Sequence, residues 1–234
     1  PAAADTDWCQ TKLAMGQHPL PPPAAGVSSA PCVLGAEITV AQGTELHLET
    51  IIVGTEAPPA PPPAVISGKG VTRLFHIVGG SLVLAHLILE AGWSSVGAAI
   101  FVESAGALRI EGGRMVAIRD SRALIDGAAA DFGGGGVALV SSGTGTNTLT
   151  VTGASTTFLL ERNMATAGGA LYVLSTGGGG NTVVVEQGAT LTLKNNSATI
   201  SNGGGASLSG AGTSLTLAGE ESQVIMESNT AESR

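Results

Sequence analysis

Asp120, Asp126 and Asp131 stand close in sequence to Arg114, Arg119 and Arg122. Carboxylates gathered with Arg, Lys or His, with or without Ca2+, are the equipment for binding or cleaving acidic polysaccharides. Asp also suits turns, where its side chain bonds its own backbone two residues on, so solvated turn residues are the stronger reading of this group. His76 and His86 lie on different expected strands, which argues against a shared metal. Asn195-Asn196-Ser197 is an N-glycosylation sequon, usable only in the secretory pathway. As a single occurrence in an Asn- and Ser-rich chain, chance is its default explanation. Cys9 and Cys32 are the only cysteines. In an extracellular setting they would pair and close a loop worth about 3 kcal/mol, the alternative being two unpaired thiols. No catalytic, cofactor or metal motif rises above this background.

Whatever these residues do, a repeating scaffold must position them. Asn163-Met164-Ala165, Asn196-Ser197-Ala198 and Asn229-Thr230-Ala231 are spaced by 33 residues each time (196 − 163 and 229 − 196). Each triplet closes a short strand-like run: Phe158-Leu159-Leu160, Leu191-Thr192-Leu193 and Val224-Ile225-Met226. Upstream lie alternating pairs: Leu149 and Val151, Val183 and Val185, Leu215 and Leu217. A fixed period of this size is the signature of a solenoid. Glycine-led strands carry the repeat backward: Gly97-Ala98 to Val102, Gly135-Gly136 to Val140, Gly168-Gly169 to Val173, and Gly204-Gly205-Ala206. Their spacings are 38 (140 − 102), 33 (173 − 140) and 36 (205 − 169).

Three strands of about five residues with three turns fill such a repeat. Glycine at this density would penalise a helix by about 1 kcal/mol per residue. The expected fold is therefore all-β, a right-handed parallel β-helix of about five to six coils spaced about 4.8 Å apart. The alternating aliphatics should stack into an apolar core. Asn163, Asn196 and Asn229 should form a structural ladder at one turn, because Asn tolerates left-handed backbone and bonds neighbouring amides. Asp120 takes that place in the preceding coil by this alignment.

Two segments interrupt the pattern. Residues 1–35 lack the repeat and carry Trp8, both cysteines and Pro21-Pro22-Pro23, which suits an irregular cap over an open column end. The β-helix should then occupy 36–234. Within it, Ala57 to Pro63 is a proline-rich run that cannot enter a sheet ladder and must leave the column as a loop. Hydroxylation and glycosylation of such a run, or an unmodified stiff loop, are its two readings.

Composition narrows the function classes. The 234 residues include 35 glycines, 43% hydrophobic and 12% charged positions, too apolar for a disordered chain. A net charge of −8 supplies no basic stripe for nucleic acid. No apolar run reaches the roughly 18 to 20 residues of a membrane-spanning helix; Leu74 to Leu89 is broken by Gly79-Gly80 and holds both His76 and His86. The chain begins at Pro1 without a hydrophobic leader, so a signal peptide has been removed or was never included. It stops at Arg234 where a further coil would begin, which suggests a longer protein or an end that stacks on another chain.

The residues also resemble a known group. Phe158 to Asn163 followed by Gly168-Gly169-Ala170-Leu171, and Leu191 to Asn196 followed by Gly204-Gly205-Ala206, look like repeats of polymorphic outer-membrane proteins and autotransporter-type adhesin passengers. Phe75 to Leu82 and Leu89-Glu90-Ala91-Gly92 look like a pectin-lyase-like coil. The bacterial motif has two residues between Phe and Asn where this chain has four (159 to 162), and no C-terminal barrel pattern follows. The polygalacturonase hallmarks, an Asp-Asp pair and a Gly-His-Gly turn, are absent. The resemblance implies an extracellular, adhesive or structural surface.

The expected function is thus a non-catalytic, secreted or cell-surface structural or adhesive protein, one subunit of a filament or coat. Its partners would be other protein chains, packed end to end or laterally, and glycans, with no cofactor and no nucleic acid. The alternative is a polysaccharide-binding or polysaccharide-cleaving protein using Asp120, Asp126 and Asp131. A weaker third reading is ice binding, which needs aligned threonines; Thr150 meets Val184 and Thr216 in the neighbouring coils, so that ladder is broken.

Overall fold

The computed structural model describes residues 32–49, 62–124, 133–201 and 203–232. After β1 (Cys32–Val33) the chain winds through six coils. The first holds β2 (Ile38–Ala41), β3 (Glu45–Glu49) and β4 (Ala64–Ser67). The second holds β5 (Phe75–Val78), β6 (Ser81–Ala85), β7 (Leu87–Glu90) and β8 (Trp93–Ser94). The third has β9 (Ile100–Glu103), β10 (Ala107–Ile110), β11 (Met115–Arg119) and β12 (Arg122–Ala123). The fourth has β13 (Val137–Ser141), β14 (Asn147–Thr152), β15 (Thr157–Glu161) and β16 (Met164–Ala165). The fifth has β17 (Leu171–Ser175), β18 (Asn181–Glu186), β19 (Thr190–Lys194) and β20 (Ser197–Ala198). The sixth has β21 (Ala206–Ser209), β22 (Thr213–Ala218), β23 (Gln223–Glu227) and β24 (Thr230–Ala231).

Corresponding strands pair in parallel to make four sheets, so the fold is a parallel β-helix. Sheet 1 runs β2-β5-β9-β13-β17-β21, sheet 2 β3-β6-β10-β14-β18-β22, sheet 3 β1-β4-β7-β11-β15-β19-β23, and sheet 4 β8-β12-β16-β20-β24. The fourth sheet departs from the three-strand expectation. Its strands are two residues long, and two residues carry no alternation for a sequence pattern to register.

The core is a set of stacked aliphatic rows. In sheet 2, Leu46, Leu82, Leu108, Leu149, Val183 and Leu215 align, as do Leu48, Leu84, Ile110, Val151, Val185 and Leu217. Sheet 3 adds Leu89, Ile118, Leu160, Leu193 and Met226. Phe75 and Phe158 are the largest side chains fully enclosed.

In sheet 1 the pairing differs by one residue from the expected alignment. Val102 pairs with Leu139, not Val140, and Leu139 with Val173. Val140 instead continues an outward row with Leu174 and Ser209. Val137-Ala138-Leu139-Val140 is apolar on both faces, so it gives no parity from which to choose. The Gly-Gly pairs have a steric cause: a Cβ on Gly169 would sit 2.2 Å from the Gly204 carbonyl oxygen, and Gly168 has φ +55°.

The proline run at 57–61, Asp126, Asp131, Cys9 and nearly all of the expected 1–35 cap lie outside the described residues. Among the described residues no helix is long and apolar enough to cross a membrane.

Candidate functional site

Several buried polar side chains at the corners are bonded along the stacking axis. Between sheets 3 and 4, Gly92 N–H donates to Ser121 Oγ at 3.1 Å and Ser121 N–H to Asn163 Oδ1 at 3.1 Å. Asn163 N–H then donates to Asn196 Oδ1 at 2.9 Å, and Asn196 N–H to Asn229 Oδ1 at 3.0 Å. The side-chain amides return to the preceding coil, Asn163 Nδ2 to Ile118 O, Asn196 Nδ2 to Leu160 O and Asn229 Nδ2 to Leu193 O. The expected asparagine ladder is present, with one correction. Ser121, not Asp120, fills the position in the third coil.

Asp120 belongs to the neighbouring row of left-handed residues, Ala91, Asp120, Arg162, Asn195 and Ser228, with φ between +50° and +56°. Its carboxylate is held by Arg162, Nε to Oδ1 at 2.9 Å and Nη2 to Oδ2 at 2.9 Å. Arg162 also meets Glu161 at 2.6 Å, and these carboxylates, the Asp120 hydrogen bond foremost, raise its pKa further above the ordinary value. Arg119 is bound to Glu90 by Nε at 3.0 Å and Nη2 at 2.8 Å. Arg114 is half-buried and Arg122 exposed. Of the expected polysaccharide group, then, Asp120 and Arg119 are each engaged in an ion pair along the column edge, and Asp126 and Asp131 lie outside the described residues.

Next to that row lies a second ladder the sequence reading missed. Glu90, Arg119, Glu161, Lys194 and Glu227 are in register, so charge alternates from coil to coil. Lys194 Nζ is 3.1 Å from Glu227. A further asparagine pair was also missed: Asn147 Oδ1 accepts from Gly106 N–H, and Asn147 Nδ2 donates to Asn181 Oδ1 at 2.8 Å. Equal spacing signalled the first ladder, but this one spans two coils only.

The densest polar constellation among the described residues joins coils one to three on the outside of sheet 1. Arg73 donates to Glu37 at 2.8 Å, to Ser94 Oγ at 2.7 Å and to the carbonyls of Val96 and Gly97. His76 Nε2 lies 2.9 Å from Glu103 Oε1, and its Nδ1 lies 3.7 Å from Glu37. The imidazole stacks on Phe101 with centroids 5.0 Å apart, and the Arg73 guanidinium also lies 5.0 Å from that ring. An imidazole paired with a carboxylate is acid–base equipment; here its described partners are Glu103, Glu37 and the Phe101 ring. The geometry is that of a clamp across three coils.

His86 sits at the left-handed turn between β6 and β7, φ +48°, away from the outward face of β5 that carries His76. No group of three or more His, Cys, Asp or Glu able to hold a metal occurs among the described residues. Thr150, Val184 and Thr216 are in register as expected, so that threonine row is interrupted. The row beside it carries hydroxyls in coils four to six, Thr148, Thr182 and Ser214, and is broken by Ala107 in the third. Cys32 opens β1 and packs against the core.

No protein-family model, curated protein or solved structure matches this chain.

Proposed function

We propose that the chain is a non-catalytic structural or adhesive β-helix of the cell surface or extracellular space, acting as one element of a filament or coat. The observation that carries this reading is the difference between the two ends of the column. In the first coil the core positions are covered, Val40 and Leu48 each being 1% exposed. In the last coil they are open: Leu208 is 39% exposed, Leu215 36%, Leu217 54% and Met226 56%. An apolar section bounded by unpaired strand edges is satisfied by another β-coil, from this polypeptide or a partner. The pairing of Arg73, Arg119 and Arg162 with carboxylates of neighbouring coils supports a structural task for these groups. The resemblance of Phe158 to Leu171 and Leu191 to Ala206 to adhesin repeats supports the surface location and adhesion.

The test is light scattering with negative-stain microscopy of the purified chain across concentration. The expected result is concentration-dependent end-to-end particles, together with no cleavage of acidic polysaccharides. A strict monomer that cleaves or saturably binds such a polysaccharide would replace this reading with the polysaccharide one centred on Asp120, Asp126 and Asp131.

A further inference from the structure

Asn195 is the one described asparagine without a structural task. Asn147, Asn163, Asn181, Asn196 and Asn229 all use their side-chain amides in hydrogen bonds. Asn195 contributes only its backbone N–H, to Glu227 O at 2.9 Å, and its side chain is exposed at the corner between sheets 3 and 4. The left-handed backbone does not explain the residue type. Ala91, Asp120, Arg162 and Ser228 occupy the equivalent corners at φ +50°, +56°, +53° and +53°, so the row accepts any of several side chains. What distinguishes coil five is the combination of an asparagine at the corner with a hydroxyl two residues on: Ser197 stands in the rank of Arg122, Met164 and Thr230, and the corner before Thr230 is Ser228.

We infer that Asn195 is the acceptor of an N-linked glycan, an inference that rests on the extracellular reading above. In the transfer, Nδ2 of Asn195 attacks the anomeric carbon of a polyprenyl-diphosphate-linked oligosaccharide. The carbon–oxygen bond to the diphosphate breaks, the polyprenyl diphosphate leaves with the electron pair, and the amide gives up one proton to it or to solvent. The neighbouring Asn196 points inward and is locked to Leu160 O at 2.9 Å, so the pair of asparagines is resolved in favour of the first. A glycan at Asn195 stands over the corner of sheets 3 and 4, beside Lys194 and Glu227, and leaves sheets 1 and 2 uncovered for lateral packing.

The sixth coil supplies an internal control. Ser228-Asn229-Thr230 has the corner geometry and the hydroxyl of the sequon but lacks the acceptor. The experiment expresses the full chain behind a secretion signal in a eukaryotic host and maps peptide masses before and after peptide-N-glycosidase. Occupancy of Asn195 is expected, lost in Asn195→Gln and Ser197→Ala, and Ser228→Asn should add a second glycan. Secreted, β-structured protein with bare Asn195 overturns the inference, whether or not Ser228→Asn is modified. Fractionation of the source cells reads the location of the native protein separately, so failure of the surface reading is distinguishable from failure of the site.

Discussion

Asn196 satisfies four groups at once. Its Oδ1 accepts from the N–H and Nδ2 of Asn163, its Nδ2 donates to Leu160 O and Asn229 Oδ1, and it is fully buried. Removing the amide strands at least the Asn163 N–H and the Leu160 carbonyl away from water, at a cost of about 1 to 3 kcal/mol for each group. Asn196→Ala should therefore lower stability by about 3 kcal/mol. Asn195→Gly, one residue earlier at an exposed left-handed corner, should change it by less than about 0.5 kcal/mol. Urea midpoints of the two variants decide this, and equal losses would mean that the ladder is not what holds the turn. The ladder was legible in sequence because three asparagines recur at one spacing. Ser121 was not, because 42 residues separate it from Asn163 (163 − 121) and the adjacent Asp120 is the commoner turn residue. The Arg73, His76, Glu37 and Glu103 clamp was hidden for a related reason. Its members meet only through pairings that span 37 residues between β2 and β5 (75 − 38) and 25 between β5 and β9 (100 − 75).

A strand in this fold contributes through two neighbours, so what limits substitution is how closely the adjacent coil approaches. Gly169 illustrates the limit, since a Cβ there would meet the Gly204 oxygen at 2.2 Å and the Ser197 oxygen at 2.5 Å, both backbone atoms that cannot swing aside. Gly178, in the turn between β17 and β18, would meet only a Thr144 methyl at 3.9 Å. Gly169→Ala should force coils five and six apart and cost more than about 3 kcal/mol, whereas Gly178→Ala should stay within about 1 kcal/mol of the parent. Thermal unfolding followed by circular dichroism separates the two, and a tolerated Gly169→Ala would refute the close approach. Alternation made sheets 2 and 3 readable, since Thr, Val or Ser separates the inward aliphatics. It failed for sheet 1, where outward positions such as Ala138 and Tyr172 are also buried, and parity is then lost. Sheet 4 shows no alternation, yet β16, β20 and β24 are the residues that follow the repeating asparagines, so the 33-residue period marks their place without revealing that they are strands.

At the scale of the molecule, each coil rests only on its neighbours, so stability is close to a sum of coil terms and coil–coil interfaces. Interior coils have two interfaces; among the described residues the sixth has one, and its core positions Leu217 and Met226 are more than half exposed. Opening the sixth coil alone should therefore be the least costly partial unfolding of the described column. Amides of β22 and β23 that bond to the fifth coil should exchange with deuterium at least about tenfold faster than those of β14 and β15, a gap of about 1.4 kcal/mol. Association at the open end supplies the missing interface, so raising the protein concentration should slow exchange in β21 to β24 while leaving β13 to β16 unchanged. Leu217→Lys places a charge in the centre of that section. It should abolish the concentration dependence without altering exchange in the fourth coil, because burying an unpaired ammonium opposes docking more strongly than loss of one leucine weakens the sixth coil. Uniform protection across the coils, or a Leu217→Lys chain that still associates, would show that the column is not built to be extended from this end.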